Sequence, residues 1–119
     1  KTAFNIDIPD VMPMPIAHGA GRFVGNKELI SKLIENDQIM FRYCDEEGVV
    51  DENFPVTPNG SMYGIAGLCN KKGNVMAMMP HPERAAWKKL LPYYEGKEDT
   101  EEMAPAGKIF VSIKKYLEK

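Results

Sequence analysis

Cysteine and histidine are both scarce in this 119-residue chain, with two of each. The two cysteines are too few and too unpatterned for a disulfide framework, which favours a reducing compartment. His18 and His81 are far apart in sequence, and neither has the closely spaced cysteine or histidine companions that zinc requires, so no metal site is expected. No apolar run approaches the roughly 20 residues of a membrane-spanning helix, and no signal-peptide pattern opens the chain. A cytoplasmic protein is the expectation. Fifteen basic residues against seventeen acidic ones, with no basic cluster, argue against a surface that tracks nucleic-acid phosphates. What remains is an ordinary globular composition, 44% hydrophobic and 27% charged, sized for one small domain.

The most informative stretch runs from Gly73 to Arg84, where the apolar Val75-Met76-Ala77-Met78-Met79 meets Pro80-His81-Pro82-Glu83. Each proline fixes its own φ, removes a backbone donor and pushes the residue before it towards an extended conformation, so a strand must stop here. That leaves His81 and Glu83 at a strand's carboxyl end, which is where open α/β sheets bind ligands. A general base has to be held in one tautomer, and a carboxylate at its second ring nitrogen orients it and stabilises the imidazolium formed on proton transfer. His81 is the candidate base and Glu83 the candidate orienter. The competing reading is structural: His81 packs at a strand terminus, and Glu83 starts a helix at the positive end of its dipole.

Elsewhere, Asn26 is placed to cap a helix with Leu29, Ile30, Leu33 and Ile34 on one face, ending near Asn36-Asp37. A strand follows at 38–43, then an acidic loop from Asp45 to Glu52 and a connection punctuated by Pro55, Pro58 and Gly60. Two further strands, about 64–70 and 74–79, form a hairpin. Residues 85–91 are expected to make a helical turn carrying Trp87, and 95–102 a charged loop. A final helix from about Ala106 repeats Ile109, Phe110, Ile113, Tyr116 and Leu117 at helical spacing. The methionines at 12, 14, 40, 76, 78 and 79 read as gap-filling core. Pro58-Asn59-Gly60-Ser61 is by itself a plain turn.

The Gly73–Arg84 string resembles the signature of class I (triad) glutamine amidotransferases, specifically the glutaminase subunits of phosphoribosylformylglycinamidine synthase. Three more blocks share the resemblance in the same order. Pro15-Ile16-Ala17-His18-Gly19-Ala20-Gly21-Arg22 is similar to that family's Pro-Ile-Ala-His-Gly-Glu-Gly-Arg, Pro58-Asn59-Gly60-Ser61 to its Asn-Pro-Asn-Gly-Ser loop, and Ile65–Asn70 to the strand leading into Gly-Asn-Val-Met. Ala20 stands where the family has an acidic residue, and Thr57 where it has asparagine.

The resemblance implies an α/β fold, the C-terminal half of a flavodoxin-like amidotransferase domain with a β-hairpin and a C-terminal helix. Residues 1–119 are then one part of a single domain. His81 and Glu83 would belong to a Cys-His-Glu triad, and His18, Gly19 and Ala20 would lie by the amino-acid end of the glutamine substrate. A bland reading of that segment is a Gly-rich turn.

The family's nucleophile needs a strained Gly-x-Cys-x-Gly elbow, which is absent. Gly67-Leu68-Cys69-Asn70 imitates one but lacks the second glycine and runs into a hairpin turn; Cys44 reads as a small buried hydrophobe. The cysteine-bearing N-terminal half is therefore an expected partner, and this chain is expected to be inactive alone and to expose apolar surface and strand edges. The resemblance further implies a synthetase subunit that uses ATP and Mg, a possible small accessory subunit, and no cofactor in this chain. A glutaminase serving another synthetase and a non-catalytic interaction module are the alternatives.

Overall fold

A computed structural model describes residues 2–17, 19–96 and 101–119. The chain divides into two compact units, one formed by Lys1–Ile16 with Pro80–Lys119 and the other by Ala17–Met79.

The second unit opens with the helix that the sequence predicts. α1 spans Lys27–Glu35, and the Asn26 side chain caps it by accepting from the Leu29 N–H at 2.8 Å. None of its residues is buried: Leu29 and Ile34 keep nearly half their surface exposed, so its apolar stripe is unfilled within the described structure. The strands β1 (Ile39–Arg42), β2 (Ile65–Cys69) and β3 (Met76–Met78) form an antiparallel sheet in the order β1-β2-β3, each lying inside its predicted span. β2 is central, and its Ile65 and Ala66 are buried. The β2–β3 turn is built by Asn70. Its backbone N–H donates to the Val75 carbonyl, while its side-chain oxygen accepts from the Asn74 and Val75 N–H groups. This places Cys69 opposite Met76 in a hairpin and excludes an elbow there.

The first unit departs from the predicted pattern between residues 82 and 107. In place of one helical turn over 85–91 there are two separate 3₁₀ turns, Pro82–Ala85 and Lys88–Leu90. Trp87 sits between them in extended conformation, φ −121° and ψ 144°, bridged to Met103. The pairing with the returning chain overrides any helical tendency: the Lys88 N–H donates to the Glu102 carbonyl, and the Ala104 N–H to the Ala86 carbonyl, both at 2.9 Å. Of the expected charged loop, residues 97–100 lie outside the described residues; Glu102 forms an ion pair with Lys88 at 2.9 Å.

A third 3₁₀ turn, Pro105–Gly107, leads into α2, Lys108–Leu117. Its buried face is Ile109 and Ser112, whereas Phe110, Tyr116 and Leu117 are exposed. Ser112 explains the shift of face. Its buried hydroxyl donates to the Ala3 carbonyl and accepts from the Ile6 N–H, both at 2.8 Å, tying the amino-terminal segment to the helix. Ala85, Leu91, Ala104 and Ala106 make the small core beneath, with Met14 packed against it.

Small residues are required at this junction. A Cβ on Gly107 would lie 2.6 Å from the Ala86 carbonyl oxygen and 2.5 Å from the Met103 side chain. Backbone cannot move aside as a flexible side chain can. Gly107→Ala is expected to destabilise the chain by about 1–3 kcal/mol, the range for overpacking, and to lower the urea midpoint at unchanged slope. An unchanged midpoint would contradict the packing described.

Candidate active site

Three residues beyond β3, the Pro80-His81-Pro82 corner turns the chain. His81 has φ −105° and ψ 90°, outside the helical region that a following proline disfavours, and Pro82 occupies the first position of the 3₁₀ turn that carries Glu83. The His81 N–H donates to the Pro15 carbonyl at 3.0 Å, and the Arg84 N–H to the His81 carbonyl at 3.1 Å. These bonds fix the backbone on which the two side chains meet. Nδ1 of His81 lies 2.7 Å from Oε1 of Glu83.

A contact of that length is a charge-assisted hydrogen bond. Because an ionised carboxylate only accepts, the bond requires the proton on Nδ1 and leaves Nε2 as the nitrogen able to accept a proton from elsewhere. The imidazole is about one-third exposed and the carboxylate more than half, so the pair is open to an incoming group. Burial pushes the Glu83 carboxyl up, but its own backbone N–H, the hydrogen bond and charge of His81, and the Arg84 guanidinium outweigh that and hold it below the usual carboxylate range. Glu83 is thereby kept ionised, the state an orienting carboxylate needs.

The remaining expected site residues are in the second unit. Gly19 and Ala20 are exposed, and a Cβ on Gly19 would meet nothing within 4 Å, so their backbone is open to a ligand. His18 lies outside the described residues. Thr57, at the family's asparagine position, is buried, and its hydroxyl donates to the Asp51 carbonyl at 2.5 Å. Its polar contact is therefore internal.

Neither cysteine is set up as a nucleophile. Burial, followed by the Asp37 charge, pushes the Cys69 thiol up. Burial and then Asp45 do the same for Cys44, which is half-buried and bridged to Val50 rather than fully enclosed. A thiol raised in this way is poor in thiolate. Among the described residues no three His, Cys, Asp or Glu side chains cluster as a metal ion would need. No helix of the described residues is long and apolar enough to cross a membrane.

Sequence reasoning placed the histidine and its carboxylate but missed what holds them. The Pro15 carbonyl and Gly107 carry no chemical signature of their own. In the second unit, only the family resemblance marked the Pro58-Asn59-Gly60-Ser61 loop, whose Asn59 and Ser61 side chains bond to Gly21 and Phe23.

A histidine held through Nδ1 by an ionised carboxylate, with no partner at Nε2 among the described residues, has the arrangement that the base and orienter of a triad-type site require. Residues 2–117 match the sequence model of the CobB/CobQ-like glutamine amidotransferase domain, and the chain belongs to that family. It is 44% identical over 110 residues to the phosphoribosylformylglycinamidine synthase subunit PurQ of Methanothrix thermoacetophila, covering 92% of this chain and 41% of that protein. It is 57% identical over 77 residues to the protein of the same name from Aquifex aeolicus, covering 65% of this chain and 33% of that one. A solved structure, described as PurLQS from Thermotoga maritima, aligns with 98% of this chain and 42% of its own at a TM-score of 0.55 and 33% identity. The chain thus spans about two-fifths or less of the length of these relatives.

Two outcomes check the electrostatics. The Glu83 carboxyl should titrate below the other exposed glutamates by carbon NMR, and its midpoint should rise in His81→Ala. Its folded pKa is depressed, so the stability it adds is complete above the unfolded value near 4.3 and is lost as pH falls through the folded value. That contribution is small for so exposed a pair. Independently, both thiols should react with iodoacetamide at pH 8 more slowly than free cysteine does. A fast-reacting Cys69 would contradict the environment described.

Proposed function

We propose that this chain supplies the base and its orienter to a Cys-His-Glu glutaminase of phosphoribosylformylglycinamidine synthase, and so serves purine biosynthesis. The 2.7 Å bond between His81 Nδ1 and Glu83 Oε1 carries the proposal, because it leaves Nε2 free to act on a thiol. The family membership and the PurQ relatives support the choice of substrate and pathway.

In this reading His81 takes the proton of a cysteine carried outside this sequence, and the thiolate attacks the side-chain carbonyl of glutamine. The imidazolium, stabilised by Glu83, returns the proton to the departing nitrogen, which leaves as ammonia. His81 then deprotonates a water that opens the thioester to release glutamate and regenerate the thiol. The backbone at Gly19 and Ala20, together with His18, holds the amino-acid end of the substrate. The raised thiols of Cys44 and Cys69 support placing the nucleophile on a separate segment, as the N-terminal part of one amidotransferase domain.

Ammonia passes to a synthetase subunit, where ATP and Mg are used; a small accessory subunit completes the assembly, and this chain itself calls for no cofactor. The PurLQS structure it resembles supports that partnership. A cytoplasmic site of action follows from the proposed pathway.

The test is glutamate release by the chain combined with the cysteine-bearing part. His81→Ala should lower turnover by roughly 10²–10⁴-fold, the usual contribution of a general base. Glu83→Gln should cost less, because a neutral amide still orients the ring. Equal, small losses from both would contradict the assignment. Activity indifferent to His81→Ala, with assembly retained, would favour a non-catalytic interaction module.

A further inference from the structure

The segment that follows Gly19-Ala20 belongs to no helix or strand, yet it is firmly tied. Among the described residues, every hydrogen bond recorded for residues 21–25 goes to residues 59–62. The Asn59 side-chain N–H donates to the Gly21 carbonyl at 3.2 Å, and the Phe23 N–H donates to the Ser61 hydroxyl at 3.0 Å. The Met62 N–H donates to the Phe23 carbonyl at 2.9 Å, and the Gly25 N–H lies 3.2 Å from the Met62 sulfur. The loop on the other side is itself prearranged. Asn59 Oδ1 accepts from the Ser61 N–H at 3.0 Å, and Gly60 holds a left-handed φ of 71°. The Arg22 guanidinium lies over it, 3.7 Å from where a Gly60 Cβ would stand.

Ser61 is buried, with 1% of its surface exposed. A buried hydroxyl needs a partner, and this one finds it in the Phe23 N–H. Asn59 bonds both ways, to its own turn and to Gly21. A plain surface turn needs neither bond. The loop enters the central strand β2 almost directly, since Ser61 is four residues before Ile65, and so it transmits the position of a rigid element to one that lacks regular structure.

We infer that Asn59 and Ser61 are positioning residues for the glutamine-binding backbone at Gly19-Ala20, acting through Gly21 and Phe23 and touching no substrate themselves. The inference rests on the functional reading above. Such residues preorganise binding and leave the chemical step alone, so their loss raises KM while kcat holds.

The experiment measures glutamine hydrolysis by the complete amidotransferase with wild type, Ser61→Ala, Ser61→Thr, Asn59→Ala and Asn59→Asp. Ser61→Ala and Asn59→Ala should raise KM for glutamine about 5–10-fold, with kcat within about twofold, the scale of one neutral hydrogen bond. Ser61→Thr keeps the hydroxyl and should restore a KM near wild type. Asn59→Asp keeps the acceptor for the Ser61 N–H but loses the donor to Gly21, so it should match Asn59→Ala. Amide exchange at Phe23 should accelerate in Ser61→Ala and not in Ser61→Thr. Unchanged KM in all variants, or losses confined to kcat, would overturn the inference and leave the functional reading intact. A wild-type enzyme that releases no glutamate would overturn both.

Discussion

His81 leads into a four-residue 3₁₀ turn that carries Glu83, and a turn that short cannot hold itself. It depends on backbone bonds at its two ends: the His81 N–H to the Pro15 carbonyl before it, and the Ala86 carbonyl to the Ala104 N–H after it. Several contacts in the first unit support those two bonds. The extended Trp87, the Lys88–Glu102 contacts and the close approach of Gly107 to the Ala86 carbonyl bring the returning chain within reach of Ala86. The Ser112 hydroxyl fastens the amino-terminal segment that leads to Pro15. Two prolines then remove most of the freedom left to His81.

The chemistry follows from this restraint more than from any unusual electrostatic environment. Glu83 is well exposed, so its attraction for His81 in open solvent would be worth little. With both backbones fixed, the side chains lose little freedom when they meet, and the 2.7 Å bond persists as geometry. The second unit uses the same economy: Asn59 and Ser61 transfer the order of β2 to the irregular stretch after Ala20.

Much of this was legible in the sequence where a residue's local chemistry decides its structure. Asn26 announces a helix start, Lys72-Gly73-Asn74 a hairpin turn, and Pro80-His81-Pro82 a stop to the strand. These features rest on φ restriction and side-chain capping, and need no knowledge of distant residues. The helical turn expected around Trp87 failed because the 102–104 segment, distant in sequence, offers backbone pairing that short-range periodicity cannot register. The predicted face of α2 holds at Ile109, which is buried, and departs at Phe110 and Leu117 for a related reason. A hydrophobic count favours Phe110 and Leu117, but the position facing inward belongs to Ser112, whose partners lie more than a hundred residues away. The prolines placed His81 at a strand's end, as the sequence predicts; the further step, that ligands bind at such an end, used a rule for open α/β sheets, whereas the described strands are all antiparallel.

The tautomer of His81 tests the central claim most directly. Nitrogen-15 chemical shifts and two-bond couplings of the ring, recorded on the neutral imidazole, distinguish a proton on Nδ1 from one on Nε2. The Glu83 bond predicts the Nδ1–H form, with Nε2 unprotonated and free to accept. A ring protonated on Nε2, with no coupling evidence for an Nδ1 proton, would show that Glu83 does not orient the base.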